Sequence, residues 1–302
     1  MTAAAIAAAE RARPAVVAAL AEDVGGGDVT TEACIEAATS AQAVIVAKAE
    51  GVLAGIEVAR LVFEVVDPGV RFAALLHDGA AVTPGAEVAR LFGPARSILT
   101  GERTALNFVQ RLSGVATRTR AFVQRLHGTG TRLLDTRKTT PGLRLLEKAA
   151  VLAGGGANHR QGLFDMVLIK DNHIRAAGGL PAAVERARAH AAPTLLVEVE
   201  AASFEEVQEA CAAGVDRILL DNMSPGDVTR ALQWIDTHPT PGPESPRRRP
   251  GARRWPEVEV SGGLTLETVR PMAELGVDYV SVGAITHSAP ALDLSLEILE
   301  LG

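Results

Sequence analysis

Aromatic residues are scarce in this chain of 302 amino acids: they make up 3% of it, with two tryptophans and one tyrosine. Its core must come from Ala, Val, Leu and Ile, and a groove that grips sugars or single-stranded nucleic acid by ring stacking is excluded as the main device. Cysteine is nearly absent too. Cys34 and Cys211 are too few and too far apart to frame a disulfide scaffold or a metal knuckle. They read as small apolar residues in a reducing compartment. Positive charge is not in excess, since 30 Lys and Arg face 36 Asp and Glu for a formal charge of −6. A nucleic-acid backbone or an anionic membrane normally meets the opposite sign, so no nucleic-acid or membrane partner is expected. Any anion site must be a local concentration of cations. No run approaches the roughly 20 apolar residues of a membrane span. The apolar beginning of the chain is broken by Glu10, Arg11 and Arg13 and reads as a helix over Ala3 to Glu22, not a signal peptide. A cytoplasmic protein is expected.

The first third mixes elements. Strand-like runs at Gln42 to Lys48, Val70 to Leu76 and Glu87 to Gly93 are bracketed by the turn signals Asp67-Pro68-Gly69 and Thr83-Pro84-Gly85. Between the first two, GIEVARLVFEVV has apolar positions that fit an amphipathic helix. This predicts a small α+β unit. From about Ser97 the pattern turns helical, and beyond it short apolar runs alternate with helix-period segments. The runs are TRLLDTRK, FDMVLIKD, TLLVEVE, DRILLDN, EVEVSGG and DYVSVGA. SFEEVQEACAAG and TLETVRPMAELG each open with a hydroxyl residue at the expected cap and close on Gly. Strand, helix, strand at this spacing implies parallel pairing with right-handed crossovers. Six such strands, and no Gly-x-Gly-x-x-Gly in the first βα turn, favour an α/β barrel over an open Rossmann sheet. The expected domains are residues 1–110, a catalytic barrel at 111–285, and a segment 286–302 packing back on the first. The Pro- and Arg-rich stretch Thr237 to Glu257 has no hydrophobic period and reads as a surface loop on the face opposite the strand C-termini.

In a parallel barrel the C-terminal strand ends and the loops after them form the active face. This chain concentrates its chemistry there: Asp135-Thr136-Arg137-Lys138, Lys170-Asp171, Glu198 and Glu200, Asp221-Asn222, Ser261-Gly262-Gly263 and Val282-Gly283-Ala284. In LLVEVE the valines and glutamates alternate, so two carboxylates line the interior if the valines pack on helices. Such carboxylates need cations, a metal or substrate to offset them. His159-Arg160 follow a glycine turn, and Arg103 lies on the preceding helix. Arginine forks, point-charge lysines and a few acids suit a substrate with carboxylates and phosphates, plus a bridging divalent ion. The small-residue strand ends let backbone N–H groups approach a phosphate. Each feature alone has an ordinary reading: a rim lysine, a structural ion pair, a plain turn. Their convergence on the strand ends argues for function.

These residues carry a resemblance. DTRKTTPGLRLLEKAAVLAGGGANHRQGLFDMVLIKDNHI, Asp135 to Ile174, closely resembles the core signature of the quinolinate phosphoribosyltransferase family. EDVGGGDVTT, ILTGERTALNFVQRLSGVAT, ILLDN, VSGGLTLE and VGAITHSAPALDLSL support it along the chain. The resemblance implies an N-terminal α+β sandwich domain joined to an incomplete α/β barrel. It implies transfer of a phosphoribosyl group from phosphoribosyl pyrophosphate to quinolinate, with loss of carbon dioxide, in NAD biosynthesis and with Mg2+. It implies a homodimer in which Arg103 reaches the neighbouring subunit's site. By the same resemblance Arg137, His159 and Arg160 hold the quinolinate carboxylates, with Thr136 beside them. Lys138 and Lys170 act near the reacting centre, and Glu200 and Asp221 bind ribose hydroxyls and metal. Ser261, Gly262, Gly263, Val282, Gly283 and Ala284 offer the 5′-phosphate cradle. Rival readings are a nicotinate phosphoribosyltransferase or molybdenum-locus paralogue on the same barrel, and a non-catalytic anion-binding barrel.

Overall fold

The structure, a computed structural model, describes residues 10–238 and 255–302. Two helices, α1 (Arg13–Val24) and α2 (Val29–Cys34), open it, the second capped by Asp28, which accepts the Thr31 backbone N–H at 3.0 Å. Residues 3–9 of the expected first helix lie outside the described residues. There follow β1 (Ser40–Ala47), β2 (Gly51–Val52), α3 (Ile56–Val66), β3 (Arg71–Ala74), β4 (Ala81–Val82) and β5 (Glu87–Pro94). α3 buries Ile56, Ala59, Leu61 and Phe63 of the stripe that the sequence periodicity predicts, together with Val58 and Val62, while Val66 of that stripe is only partly buried. β1 lies between neighbours in an antiparallel sheet, and Ala43 to Ala47 are all buried. The chain then enters α4 (Ala95–Leu126), a single helix of 32 residues.

Next come β6 (Arg132–Leu134), α5 (Arg144–Ala153), β7 (Val167–Ile169), α6 (Asp171–Ala177), α7 (Leu180–His190), β8 (Val197–Ala201), α8 (Phe204–Ala212) and β9 (Arg217–Asp221). They are followed by α9 (Pro225–Thr237), β10 (Glu257–Ser261), α10 (Val269–Glu274) and β11 (Tyr279–Ser281). The six strands form one parallel sheet in the order β6-β11-β10-β9-β8-β7. Chain order is thus followed around a cylinder that closes from β11 back to β6 but has no ladder between β6 and β7. At that seam β6 makes an isolated parallel bridge from Leu134 to Ala157. The architecture is an α/β barrel with one open seam. Strand alternation places Val197, Val199, Ile218, Leu220, Val258 and Val260, all fully or almost fully buried, on the outward face toward the helices. α8 starts where expected, on Ser203, whose side chain accepts the Glu206 backbone N–H. α10 starts later than expected, because Thr265 and Thr268 hydrogen-bond to each other's segment and form a separate turn first. Of the Pro/Arg-rich stretch, residues 239–254 lie outside the described residues. Its flanks end α9 and begin β10.

Last come α11 (Ala284–His287) and β12 (Leu294–Leu301), which pairs antiparallel with β1 to complete a sheet in the order β12-β1-β5-β3. The described residues separate into two compact units. One holds residues 10–120, 138–155 and 284–302; the other holds 121–137 and 156–283. Divided by contacts, the first unit thus gathers three separate stretches of the chain, and α4 is continuous across residue 110. Among the described residues no helix is long and apolar enough to cross a membrane.

Gly114 on α4 shows how tightly the first unit is packed: a Cβ there would lie 2.0 Å from the Pro290 carbonyl oxygen. Alanine normally favours a helix over glycine by about 1 kcal/mol. Overlap with main chain outweighs that, so Gly114→Ala should destabilise the protein by roughly 1–3 kcal/mol in urea unfolding. A gain in stability would show that this contact is looser than described.

Candidate active site

The interior of the barrel carries charge. Arg217 opens β9 with Glu198 of β8 and Glu257 of β10 in register on either side. Its guanidinium lies 3.1 Å from Glu257, 3.5 Å from Glu259 and 4.1 Å from the centroid of the Tyr279 ring. Glu198 and Glu259 are fully buried. Toward the seam they meet His159, whose Nε2 is 3.1 Å from Glu198 and 3.5 Å from Glu259. The Arg160 backbone N–H donates to His159 Nδ1 at 2.7 Å, which leaves the ring proton on Nε2, facing the carboxylates.

Asp135, also fully buried, holds this segment in place. It accepts the His159 backbone N–H at 2.8 Å and the Asn158 side-chain amide at 2.6 Å. Burial disfavours a charged imidazole, yet the two carboxylates more than offset it and raise His159's affinity for a proton. The amide contact at Nδ1 opposes a second ring proton. Burial, and then repulsion from Glu198, push Glu259 up to about 7. Burial acts on Glu198 too, but His159 and Arg217 hold it low.

Above this layer the strand ends present the expected residues. Glu200 on β8 is ion-paired with Lys170 at the start of α6, and Lys170 keeps 44% of its side chain exposed. Asp221 ends β9 and accepts the Asn222 side-chain amide at 2.8 Å. Asn222 has a left-handed backbone, φ 53°, uncommon for a residue other than glycine. Its side chain lies so close to Gly262 that a Cβ there would come within 2.1 Å of Asn222 Oδ1. Gly263, at φ +57°, has open space where a Cβ would point, so the main chain is bare on that side. At the seam, burial and then the nearby Arg137 charge pull Arg160's proton affinity below the ordinary arginine value. Glu198 and Asp165 act on Arg160 in the opposite direction. Thr136, Ser261, Val282 and Gly283 belong to this same unit. Arg103, Lys138 and Ala284 belong to the other. There Arg103 has 59% of its side chain exposed and lines a cavity of about 310 Å3 with Asp23, Asp28 and Thr100.

The family profile for the C-terminal domain of quinolinate phosphoribosyl transferase matches residues 115–297, and that for its N-terminal domain matches residues 28–113. The chain belongs to the quinolinate phosphoribosyltransferase family. A relative from Synechocystis, a probable nicotinate-nucleotide pyrophosphorylase (carboxylating), is 44% identical over 93% of this chain and 90% of its own. One of the same name from Bacillus subtilis is 42% identical over 92% and 90%. The solved nicotinate-nucleotide pyrophosphorylase of Francisella tularensis superposes with a TM-score of 0.86 at 39% identity, covering 96% of this chain and 97% of its own.

Within this member of the quinolinate phosphoribosyltransferase family, sequence reasoning missed Glu259 and Arg217, and it placed Asp135 and Asn222 at strand ends without giving them a role. EVEVS repeats the alternation of VEVE and was the available signal for Glu259. Among the described residues, His159, Glu198 and Glu259 have ligand-type atoms within 4.8 Å of one another. Arg217 already supplies positive charge there.

A raised carboxyl binds a proton in the folded chain that the unfolded chain lacks between about pH 4.5 and 7. That contribution to stability is present at low pH and is lost as pH rises through the folded value. Glu259→Gln should therefore flatten the fall in Tm between pH 5 and pH 8, with roughly 2–4 °C of gain at pH 8 for each kcal/mol recovered. Parallel Tm–pH curves for the two proteins would mean that Glu259 does not titrate in this window.

Proposed function

We propose that this chain transfers a phosphoribosyl group from phosphoribosyl pyrophosphate to the ring nitrogen of quinolinate and releases pyrophosphate and carbon dioxide to give nicotinate mononucleotide, a step of NAD biosynthesis. Membership of the family across both domains supports the reaction class. What supports the choice of acceptor is that Arg160 follows His159 directly in the segment that Asp135 holds against the end of β6, the strand that runs into Arg137. Two guanidinium forks match two adjacent carboxylates better than one.

The roles follow from the charges that develop. As the pyridine nitrogen attacks C1′, the bond from C1′ to pyrophosphate breaks and its electron pair leaves with pyrophosphate. Lys138 and Lys170 offer positive charge to that leaving group, while Glu200 and Asp221 favour the oxocarbenium-like ribose and hold its hydroxyls. The bare main chain at Gly263 takes the 5′-phosphate, with Ser261, Gly262, Val282, Gly283 and Ala284 around it. Ribosylation makes the ring nitrogen cationic. The carboxylate next to it then leaves as carbon dioxide, the electron pair stays on the ring carbon, and that carbon takes up a proton. Arg137, Arg160 and His159 orient both carboxylates without over-stabilising the one that departs.

Glu200 and Asp221 end adjacent strands and offer the hard oxygen donors that suit Mg2+. These two carboxylates would hold the ion, directly or through water, and it would supply positive charge for the departing pyrophosphate. Exposed Arg103 is assigned to the neighbouring subunit's acceptor site in a homodimer, and the enzyme to the cytoplasm.

Quinolinate and nicotinate should be compared as acceptors with phosphoribosyl pyrophosphate and Mg2+, following nicotinate mononucleotide and carbon dioxide. Turnover of quinolinate alone is expected; turnover of nicotinate, or of neither, would overturn the acceptor assignment. Lys138→Ala should lower kcat by roughly 10²-fold, and an unchanged kcat would remove Lys138 from the mechanism. Arg103→Ala should chiefly raise KM for quinolinate, since one charge-assisted contact is worth about 1.5–3 kcal/mol. Mixing Arg103→Ala with Lys138→Ala subunits should restore activity; absence of complementation would argue against an arginine acting in trans.

A further inference from the structure

Glu147 is a carboxylate with no exposure to solvent, on a helix whose neighbouring Leu146, Ala150 and Val151 already supply apolar packing. A buried charge is costly unless it is fully engaged, and an apolar side chain would seal α5 without that cost. Glu147 is fully engaged. Arg111 of α4 donates to its Oε1 from Nε at 3.1 Å and from Nη2 at 2.8 Å. Thr140 donates to it twice, from the backbone N–H to Oε2 at 3.0 Å and from the hydroxyl to Oε1 at 2.7 Å.

Arg111 continues the network: its Nη2 donates to the Thr286 carbonyl at 2.6 Å and its Nη1 to the Ala289 carbonyl at 2.9 Å. Thr286, itself buried, donates its hydroxyl to the Lys138 carbonyl at 2.8 Å. The main chain is therefore gripped at Lys138 from one side and at Thr140 from the other. Immediately beyond, the Leu143 N–H closes a turn onto the Thr140 carbonyl at 3.0 Å, with Gly142 at φ +79°.

We propose that Glu147, working with Arg111 and through Thr140, is a positioning residue for Lys138. The proposal rests on the role given to Lys138 above. Without this clamp, the segment loses its hold at Thr140, and Thr286, which grips the Lys138 carbonyl, loses the Arg111 donor that fixes it, so the Lys138 amine shifts relative to the leaving group. Displacement of about 1 Å is enough to cost on the order of 10²-fold in rate.

The test is a double-mutant cycle with the full-length enzyme, measuring kcat and KM for each substrate. Thr140→Val removes one hydroxyl and leaves the Arg111–Glu147 pair intact, so it spares the fold. Glu147→Gln replaces one acceptor oxygen by an amide NH2, a donor that faces donors. Both should lower kcat by about 10- to 100-fold with little change in KM for quinolinate, and Thr140→Ser should restore wild-type kcat. In a Lys138→Ala background both changes should have no further effect, because the group they position is gone. Losses of equal size in the two backgrounds would overturn the proposal and make the network purely structural. Full activity of Lys138→Ala itself would instead strike the reading beneath it, which separates the two failures.

Discussion

The barrel interior holds more carboxylates than cations, and Arg217 makes that tolerable. It reaches Glu257 and Glu259 directly, lies in register with Glu198 and rests on the Tyr279 ring. One side chain thus ties together four consecutive strands, β8 to β11, and His159 extends the network to the segment bridging β6. Such networks gain from low dielectric when satisfied and fail badly when one member is lost. The strand ends above can be polar and sparsely packed because the layer below them is held by charge.

Much of this was legible in the order of residues. Period-2 runs separated by capped helices give parallel strands, and parallel strands place Lys170, Glu200, Asp221 and Gly262 at one end before any coordinate is known. The alternation in VEVE correctly turned Glu198 inward. What the pattern could not express is which strands face each other across the cylinder, so Glu259 stayed hidden although EVEVS repeats the same alternation. Asn222 was seen as a polar strand-end residue, but its left-handed backbone depends on the closeness of Gly262, which no local pattern encodes. Glu147 sat in an amphipathic helix where an acid is expected to be solvated. Only the approach of α4 and the Thr140 loop buries it.

The same reasoning explains the domain boundary. Hydrophobic periodicity carries no break at residue 110, since α4 runs on to Leu126, and chain segments far apart in sequence complete the first unit through β12 on β1. Compactness is a property of contacts between distant segments, and composition shifts along a chain report it only where a linker separates them.

The open seam between β6 and β7 has a consequence for how such a barrel can change. Under the assignments made here, the strands in continuous register, β8 to β11, serve the phosphoribosyl group, while the arginines meant for the acceptor lie on the stretch that crosses the seam. Backbone there is held by one bridge and by Asp135 instead of by a ladder. Residues can be inserted or exchanged in that stretch without shifting the pairing of any strand. A lineage can therefore change residues around Arg160 while Lys138 and the paired strands that serve the donor stay in place.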